Sequence, residues 1–356
     1  MALIRLFATA CSFLVTTAVA GDALREWYAA PIYEWPAAIT ADGQAPLALS
    51  PLTPIGSLAT EKQIKLGEKL FNDPILSRDN TVSCASCHVK ALSFQDGLRS
   101  AKGVREQIGN RNTPAIFGID HWQSFFWDGR AQTATEQALK PIENPIEMDL
   151  PLEEALKRLN TSTDYKAAFN EAYGKEHITS AMLAMALVAF ERTIPPPDSK
   201  YQRFIALAQE APKKAQAMLS ESQLEGLHLF RTKAKCMTCH EGALLSDNDF
   251  HVTGFHRYGL SFEDLGRSEF TQNVQDIGKF RTPSLLGVSK TGPWMHNGLF
   301  VQFRPMIEQY NAGGFRPKPN RKNAMDPHYP KTTPLIQPLN LSDDEINALV
   351  AFLNIL

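Results

Sequence analysis

The sequence predicts a mainly α protein built from two halves related by internal duplication. Three observations predict it. Two short stretches, Cys84-Ala85-Ser86-Cys87-His88 and Cys236-Met237-Thr238-Cys239-His240, share the pattern C-x-x-C-H. The residues around each stretch recur in the other half in the same order. Helix-start signals recur along the chain, while strand signals are weak throughout. C-x-x-C-H is the attachment signature of c-type haem. Two thiols about one helical turn apart form thioethers to the vinyl groups, and the adjacent His becomes the proximal iron ligand. Two copies that hold every cysteine of the expected mature chain outweigh the competing readings, a pair of disulfides or one zinc site.

The chain has 356 residues and five cysteines. Cys11 lies in Met1–Ala20, where Arg5, an apolar run and Ala18-Val19-Ala20 read as a secretory signal cleaved after Ala20. A lipid-anchored Cys11 is the weaker reading, because too little apolar sequence precedes it. No other apolar run is long enough to span a membrane, so the expected location is the bacterial periplasm, without membrane insertion. A formal net charge of −2 argues against nucleic acid as a partner. The length fits two modest domains. Residues 21–55 form an N-terminal arm, 56–197 the N-terminal haem domain and 198–356 the C-terminal one.

In chain order, residues 21–55 are rich in Pro, Ala and aromatic residues (Trp27, Tyr28, Tyr33, Trp35), show no helical period, and read as an extended surface arm. Thr60 and Gln63 form a capping box for a helix with Ile64, Leu66, Leu70 and Phe71 on one face. Asn72-Asp73-Pro74 ends it, and the first haem motif follows. Further helices are expected from about Thr133 to Lys140, over 152–172 and over 179–193, the last strongly apolar. Pro195-Pro196-Pro197 breaks it and marks the domain boundary. Met182, Met185 and Met218 read as core.

The second half restates the first. Ser220 and Gln223 repeat the capping box. Gly67-x-x-Leu70-Phe71 corresponds to Gly226-x-x-Leu229-Phe230. Thr113-Pro114-Ala115-Ile116-Phe117-Gly118 corresponds to Thr282-Pro283-Ser284-Leu285-Leu286-Gly287, and Trp127-Asp128-Gly129 to His296-Asn297-Gly298. Ser342 and Glu345 cap a last helix carrying Ile346, Leu349, Val350 and Leu353. Two cytochrome c-like haem domains in tandem, packed on each other, account for this pattern.

Over residues 55–355 the chain resembles the bacterial di-haem cytochrome c peroxidases and their MauG-type relatives. The specific pieces are Leu66-Gly67-x-x-Leu70-Phe71, the two haem motifs, Arg111-Asn112-x-Pro114, Phe126-Trp127-Asp128-Gly129-Arg130, Glu136-Gln137, Pro141-Ile142-x-Asn144-Pro145-x-Glu147-Met148 and Pro283-Ser284-Leu285. The resemblance implies that His88 is the proximal ligand of a peroxidatic haem, with Gln137, Pro141 and Glu147 on its distal side. Breaking the peroxide O–O bond heterolytically needs a proton taken from one oxygen and given to the other, and one buried carboxylate can do both. The resemblance further implies that Trp127 relays electrons between the haems. It also implies that Asn112, Thr291 and Pro293 hold a calcium ion between the domains with hard oxygen ligands. Trp122 has no such match and reads as packing.

Two departures from the conventional members point to the MauG branch. Conventional members place a His between the first haem motif and Arg-Asn-x-Pro; the corresponding residue is Val104, and no His lies between His88 and His121. The distal side of the peroxidatic haem is therefore expected to be open. The second haem, with His240 proximal, takes a Met as sixth ligand in conventional members, whereas this place is held by Tyr310. A tyrosinate stabilises oxidised iron, while a thioether raises the potential. Met306 is the rival ligand, and Met295 and His296 are outside candidates. His121, His177, His228, His251, His256 and His328 show no ligand spacing. MauG has a Trp just before its second haem motif; here that place is Ala234, which argues against its specific tryptophan cross-linking reaction.

The expected activity is hydrogen-peroxide-dependent. High-valent iron would form at the N-terminal haem, and a periplasmic protein partner would be oxidised by a monomer or homodimer. The alternatives are a conventional peroxidase fed by cytochrome c or a cupredoxin, and a non-catalytic di-haem electron carrier.

Overall fold

The computed structural model describes residues 15–56 and 58–356; residues 1–14 of the expected leader, Cys11 among them, lie outside the described residues. Helix α1 (Val15–Tyr28) and a 3-10 turn at Ile32–Glu34 come first. They correct the reading of 21–55 as wholly extended. Leu24 and Tyr28, four residues apart, supply an apolar edge. Tyr28 is fully buried, lies 4.9 Å from the Trp35 ring, and Trp35 stacks on Phe204 at 6.0 Å. Tertiary packing, rather than a long periodic pattern, holds this helix.

Helix α2 (Glu61–Asn72) starts at the Thr60–Gln63 capping box. The turn α3 (Cys84–Cys87) is the first haem motif. Helix α4 (Ala134–Glu143) runs past the expected Lys140 and carries Pro141 inside it. The helix expected over 152–172 is two, α5 (Leu152–Thr161) and α6 (Thr163–Tyr173). Ser162 turns to extended backbone and its hydroxyl accepts the Tyr165 N–H as a new N-cap. Helix α7 (Ser180–Glu191) follows its N-cap Thr179. Met182 is buried in it, but Met185 is 45% exposed, which corrects its assignment to the core.

Helices α8 (Lys200–Glu210) and α9 (Pro212–Met218) lie where the sequence reading placed no element. Their signal was present, with Ser199 as N-cap and Tyr201, Phe204, Ile205 and Ala208 at helical spacing and buried. Helix α10 (Glu221–Arg231) begins at the second capping box, and a 3-10 turn at Cys236–Thr238 carries the second haem motif. Strand β1 (Phe250–Val252), the turn α11 (Ser268–Thr271) and strand β2 (Lys279–Arg281) come next, with β1 and β2 antiparallel. This pair is the sheet among the described residues. Helices α12 (Phe303–Asn311) and α13 (Asp343–Leu353) complete the chain.

The duplication is physical as well as textual. Helix α2 packs closely on α7, and α10 packs in the same way on α13. At each crossing sits a glycine. A side-chain carbon on Gly67 would meet the Ala186 carbonyl oxygen at 1.9 Å, and one on Gly226 the Ala348 carbonyl oxygen at 2.1 Å. Each half has its own apolar cluster. One runs from Leu66 to Val188; the other holds Tyr28, Trp35 and Ile194 to Leu356. Full burial of side chains such as Leu70, Phe71, Leu227 and Phe230 contributes about 1.5–3 kcal/mol each. No helix among the described residues is long and apolar enough to cross a membrane.

Candidate functional site

Both haem motifs open on one cavity of about 780 Å³, which extends through the two halves. In each motif the backbone turns back on itself, with the His88 N–H donating to the Cys84 carbonyl and the His240 N–H to the Cys236 carbonyl, both at 2.9 Å. His88 Nδ1–H donates to the Phe94 carbonyl and His240 Nδ1–H to the Leu245 carbonyl, each at 3.0 Å. That bond fixes the tautomer and leaves Nε2 with its lone pair, the arrangement a metal-ligating imidazole needs. Cys84, Cys87, Cys236 and Cys239 form no disulfide. Burial pushes the thiols of Cys84 and Cys236 up to about 12 and that of Cys87 up to about 11. Thiols left unpaired beside a large cavity fit thioether attachment. Cys239 does lie within 4.8 Å of Asp247 and His251. His251 is hydrogen-bonded to Asp247 at 2.7 Å and lines the cavity, a more specific place than the loop or core role read from sequence.

Gln137, Pro141 and Glu147 line the cavity together with His88. Pro141 lacks an N–H, so Gln137 four residues earlier loses its helical donor. The turn after α4 then builds the carboxylate's support. Asn144 Nδ2 donates to Glu147 Oε1 at 2.6 Å, and the Glu147 N–H donates to the Asn144 carbonyl at 3.1 Å. Burial raises the Glu147 pKa above the ordinary glutamate value, with Arg130 and the Asn144 bond pulling against it. The result is a carboxyl group able both to take and to give a proton. Val104 is fully buried, and its N–H donates to the Glu147 carbonyl at 2.9 Å. The neighbouring Gly103 permits this approach, since a side-chain carbon there would meet the Ile146 carbonyl oxygen at 1.8 Å.

Trp127 stands at the seam of the halves. Its Nε1–H donates to the Asn112 carbonyl at 2.8 Å, and its ring meets His296 edge-on, with centroids 6.4 Å apart. The Asn112 N–H donates to the His296 carbonyl at 2.7 Å. His296 lies flat on Phe280, with centroids 3.6 Å apart. Trp122 packs against the C-terminal apolar cluster and also lines the cavity, with the Arg281 guanidinium 3.7 Å above its ring.

Asn112 is buried, and its Nδ2 donates to the Leu98 carbonyl at 2.9 Å. Its Oδ1 receives one bond, from Gln95 Nε2 at 3.3 Å. Buried Gln95 Oε1 and Asn297 Oδ1 have no donor. Asn112, Thr291 and Pro293 line the same cavity. This surplus of buried oxygen acceptors fits a hard cation, which Asn112 and the carbonyls of Thr291 and Pro293 would hold.

On α12, Met306 and Tyr310 lie one turn apart and both line the cavity, as do Met295 and His296. The Tyr310 hydroxyl is pushed well above the ordinary phenol value, first by burial and then by the sulfurs of Cys239 and Cys236.

Three groups at the site carried no assigned role. Arg111 reaches across the seam to grip Asp264 through Nε and Nη2 at 2.8 Å each, and holds Asp128 of its own half through Nη1 at 2.6 Å. Arg281 and Glu191 are both buried and line the cavity. Arg111 stood in a recognised motif. Glu191 ends an apolar helix, and nothing in its spacing marks it.

A duplicated helical fold with two C-x-x-C-H turns on a shared cavity, and a part-buried carboxylate, Glu147, lining that cavity together with His88, defines a di-haem c-type oxidoreductase. Residues 61–210 match the family model of the di-haem cytochrome c peroxidases, and residues 224–356 that of cytochrome c. The chain is 33% identical to the methylamine utilization protein MauG of Methylorubrum extorquens, over 86% of this chain and 79% of that one. It is 31% identical to the cytochrome c551 peroxidase of Nitrosomonas europaea, over 72% of this chain and 76% of that one. Among solved structures it resembles a MauG-like protein associated with microbial copper homeostasis, with 28% identity, a TM-score of 0.71, and coverage of 86% of this chain and 92% of that one. The chain belongs to the di-haem cytochrome c peroxidase family, oxidoreductases that act on peroxide, and membership implies two c-type haems.

Proposed function

We propose that this protein is a periplasmic, hydrogen-peroxide-dependent di-haem peroxidase of the MauG type that oxidises a protein partner. The observation that carries the reading is the place of Val104, where a buried apolar residue bonded to the Glu147 carbonyl stands instead of a displaceable distal His. When bound, the haems supply the iron at which peroxide is reduced and the means to hold oxidising equivalents. The chain's own residues do the rest. Glu147 takes a proton from one peroxide oxygen and returns it to the other, and Asn144 holds its carboxyl in place. Gln137 and Pro141 shape the space beside it. Trp127, tied to Asn112 and edge-on to His296, lies on the route between the halves. Asn112, Thr291 and Pro293 would hold a calcium ion at this seam. Tyr310, which lines the cavity on the His240 side, would help to hold the second haem.

A second reading, a conventional peroxidase fed by cytochrome c or a cupredoxin, draws on Met306, which lines the same cavity one turn before Tyr310. The ferric spectrum before and after one equivalent of peroxide separates the two. One high-spin and one low-spin haem, with reaction before any reduction and a long-lived near-infrared charge-resonance band, is the expected result. Two low-spin haems, a methionine–iron charge-transfer band and no reaction until one electron is added would overturn it.

A further inference from the structure

Arg281 ends β2 at the seam of the two halves and lines the shared cavity. It is 9% exposed, and its guanidinium leans on the Trp122 ring at 3.7 Å. Nε donates to the Phe126 carbonyl at 3.2 Å, while the buried Nη1 has no acceptor. Among the described residues no carboxylate pairs with it, in contrast to Arg111, which has three acidic partners nearby. Burial alone pulls its pKa down to about 9. A buried cation without a counter-ion is costly, and such charges are ordinarily paired. The duplication sharpens the point. Counting back from Thr113 and Thr282, the residue matching Arg281 in the first half is the neutral Asn112.

A c-type haem is held by its vinyl edge and its iron, and it carries two propionate carboxylates. We propose that Arg281 is the counter-ion of a haem propionate at the seam, anchored by Trp122 and the Phe126 carbonyl so that Nη1 faces the carboxylate. A planar guanidinium suits this role, since it presents parallel N–H donors to a carboxylate. The assignment rests on the two haems of the family and stands whether Tyr310 or Met306 ligates the second iron.

The test compares wild type with Arg281→Gln and Arg281→Lys, each isolated with both haems covalently attached. The readouts are the propionate bending bands in resonance Raman spectra and the midpoint potential of each haem by spectroelectrochemistry. In Arg281→Gln, one bending band should shift, and the potential of the same haem should fall, because an unpaired propionate favours ferric iron. Arg281→Lys should restore the potential in part. Unchanged bands and potentials in a correctly loaded Gln variant would overturn the assignment. If that variant does not mature, the Lys variant alone carries the comparison: an altered bending band supports the pairing and an unchanged one overturns it.

Discussion

The backbone N–H of Val104 donates to the carbonyl of Glu147 at 2.9 Å, joining the loop that lacks a distal histidine to the carboxylate proposed to serve the peroxide chemistry. The contact is close because Gly103 lets the two strands of chain approach. Val104→His tests whether this segment faces the first iron. The expected outcome is conversion of a high-spin ferric haem to a low-spin one, read by electron paramagnetic resonance, with peroxide reactivity lost until reduction. Overpacking a fully buried position costs about 1–3 kcal/mol, so a lowered melting temperature is expected too. A folded variant with an unchanged high-spin signal would show that residue 104 does not reach the haem.

Glu147→Gln keeps the Asn144 contact but removes proton exchange. General acid–base assistance is worth about 10²–10⁴-fold, so the reaction with peroxide should slow by at least about 10²-fold. In the wild type, burial holds the Glu147 pKa above its ordinary value, so the rate should rise with pH along an acid limb displaced upward from that of a free glutamate. Asn144→Ala removes a bond that favours the charged form, and should move that limb higher still. Stopped-flow rates against pH decide this; an unshifted limb in Asn144→Ala would remove Asn144 from the mechanism.

Tyr310 and Met306 share a helix face, and single substitutions separate them. Tyr310→Phe should change the low-spin ferric spectrum of the second haem, while Met306→Leu should leave it unchanged. The reverse pattern would assign the thioether and favour the conventional peroxidase.

Arg111 ties the halves together through Asp264 and also holds Asp128 of its own half, with its own side chain largely buried. Burial acts to raise the Asp264 pKa, but the Arg111 hydrogen bonds outweigh it and hold the carboxyl below the ordinary value. A depressed carboxylate contributes stability above its unfolded pKa and loses it as the pH falls through the folded value. Arg111→Ala should therefore cost about 3–5 kcal/mol at neutral pH, since it leaves buried carboxylates uncompensated. The deficit should shrink toward acid pH, because without Arg111 burial raises the Asp264 pKa and the variant's carboxyl takes up a proton before the wild type's does. Denaturant unfolding at pH 7 and pH 4 measures both; an equal deficit at the two values would contradict the ion-pair account.

Much of this protein was legible in one dimension. Haem attachment, the capped helices at Glu61, Glu221 and Asp343, and the duplication are local patterns. A thioether tether, an N-cap and a close helix crossing at Gly67 or Gly226 each impose residue types at fixed spacing. The N-terminal helix was hidden, because its stability comes from Tyr28 and Trp35 packing against the distant C-terminal half. The break at Ser162 was hidden as well, since a single serine reads equally well within a helix and at its cap. The surroundings of Arg281, Arg111 and Glu191 depend on which groups fold around a charged side chain, and the chain brings those groups together only on folding. Sequence spacing marked the two haem-attachment motifs; tertiary burial decided which charges line the cavity between them, because the cost of an unpaired charge exists only once water is gone.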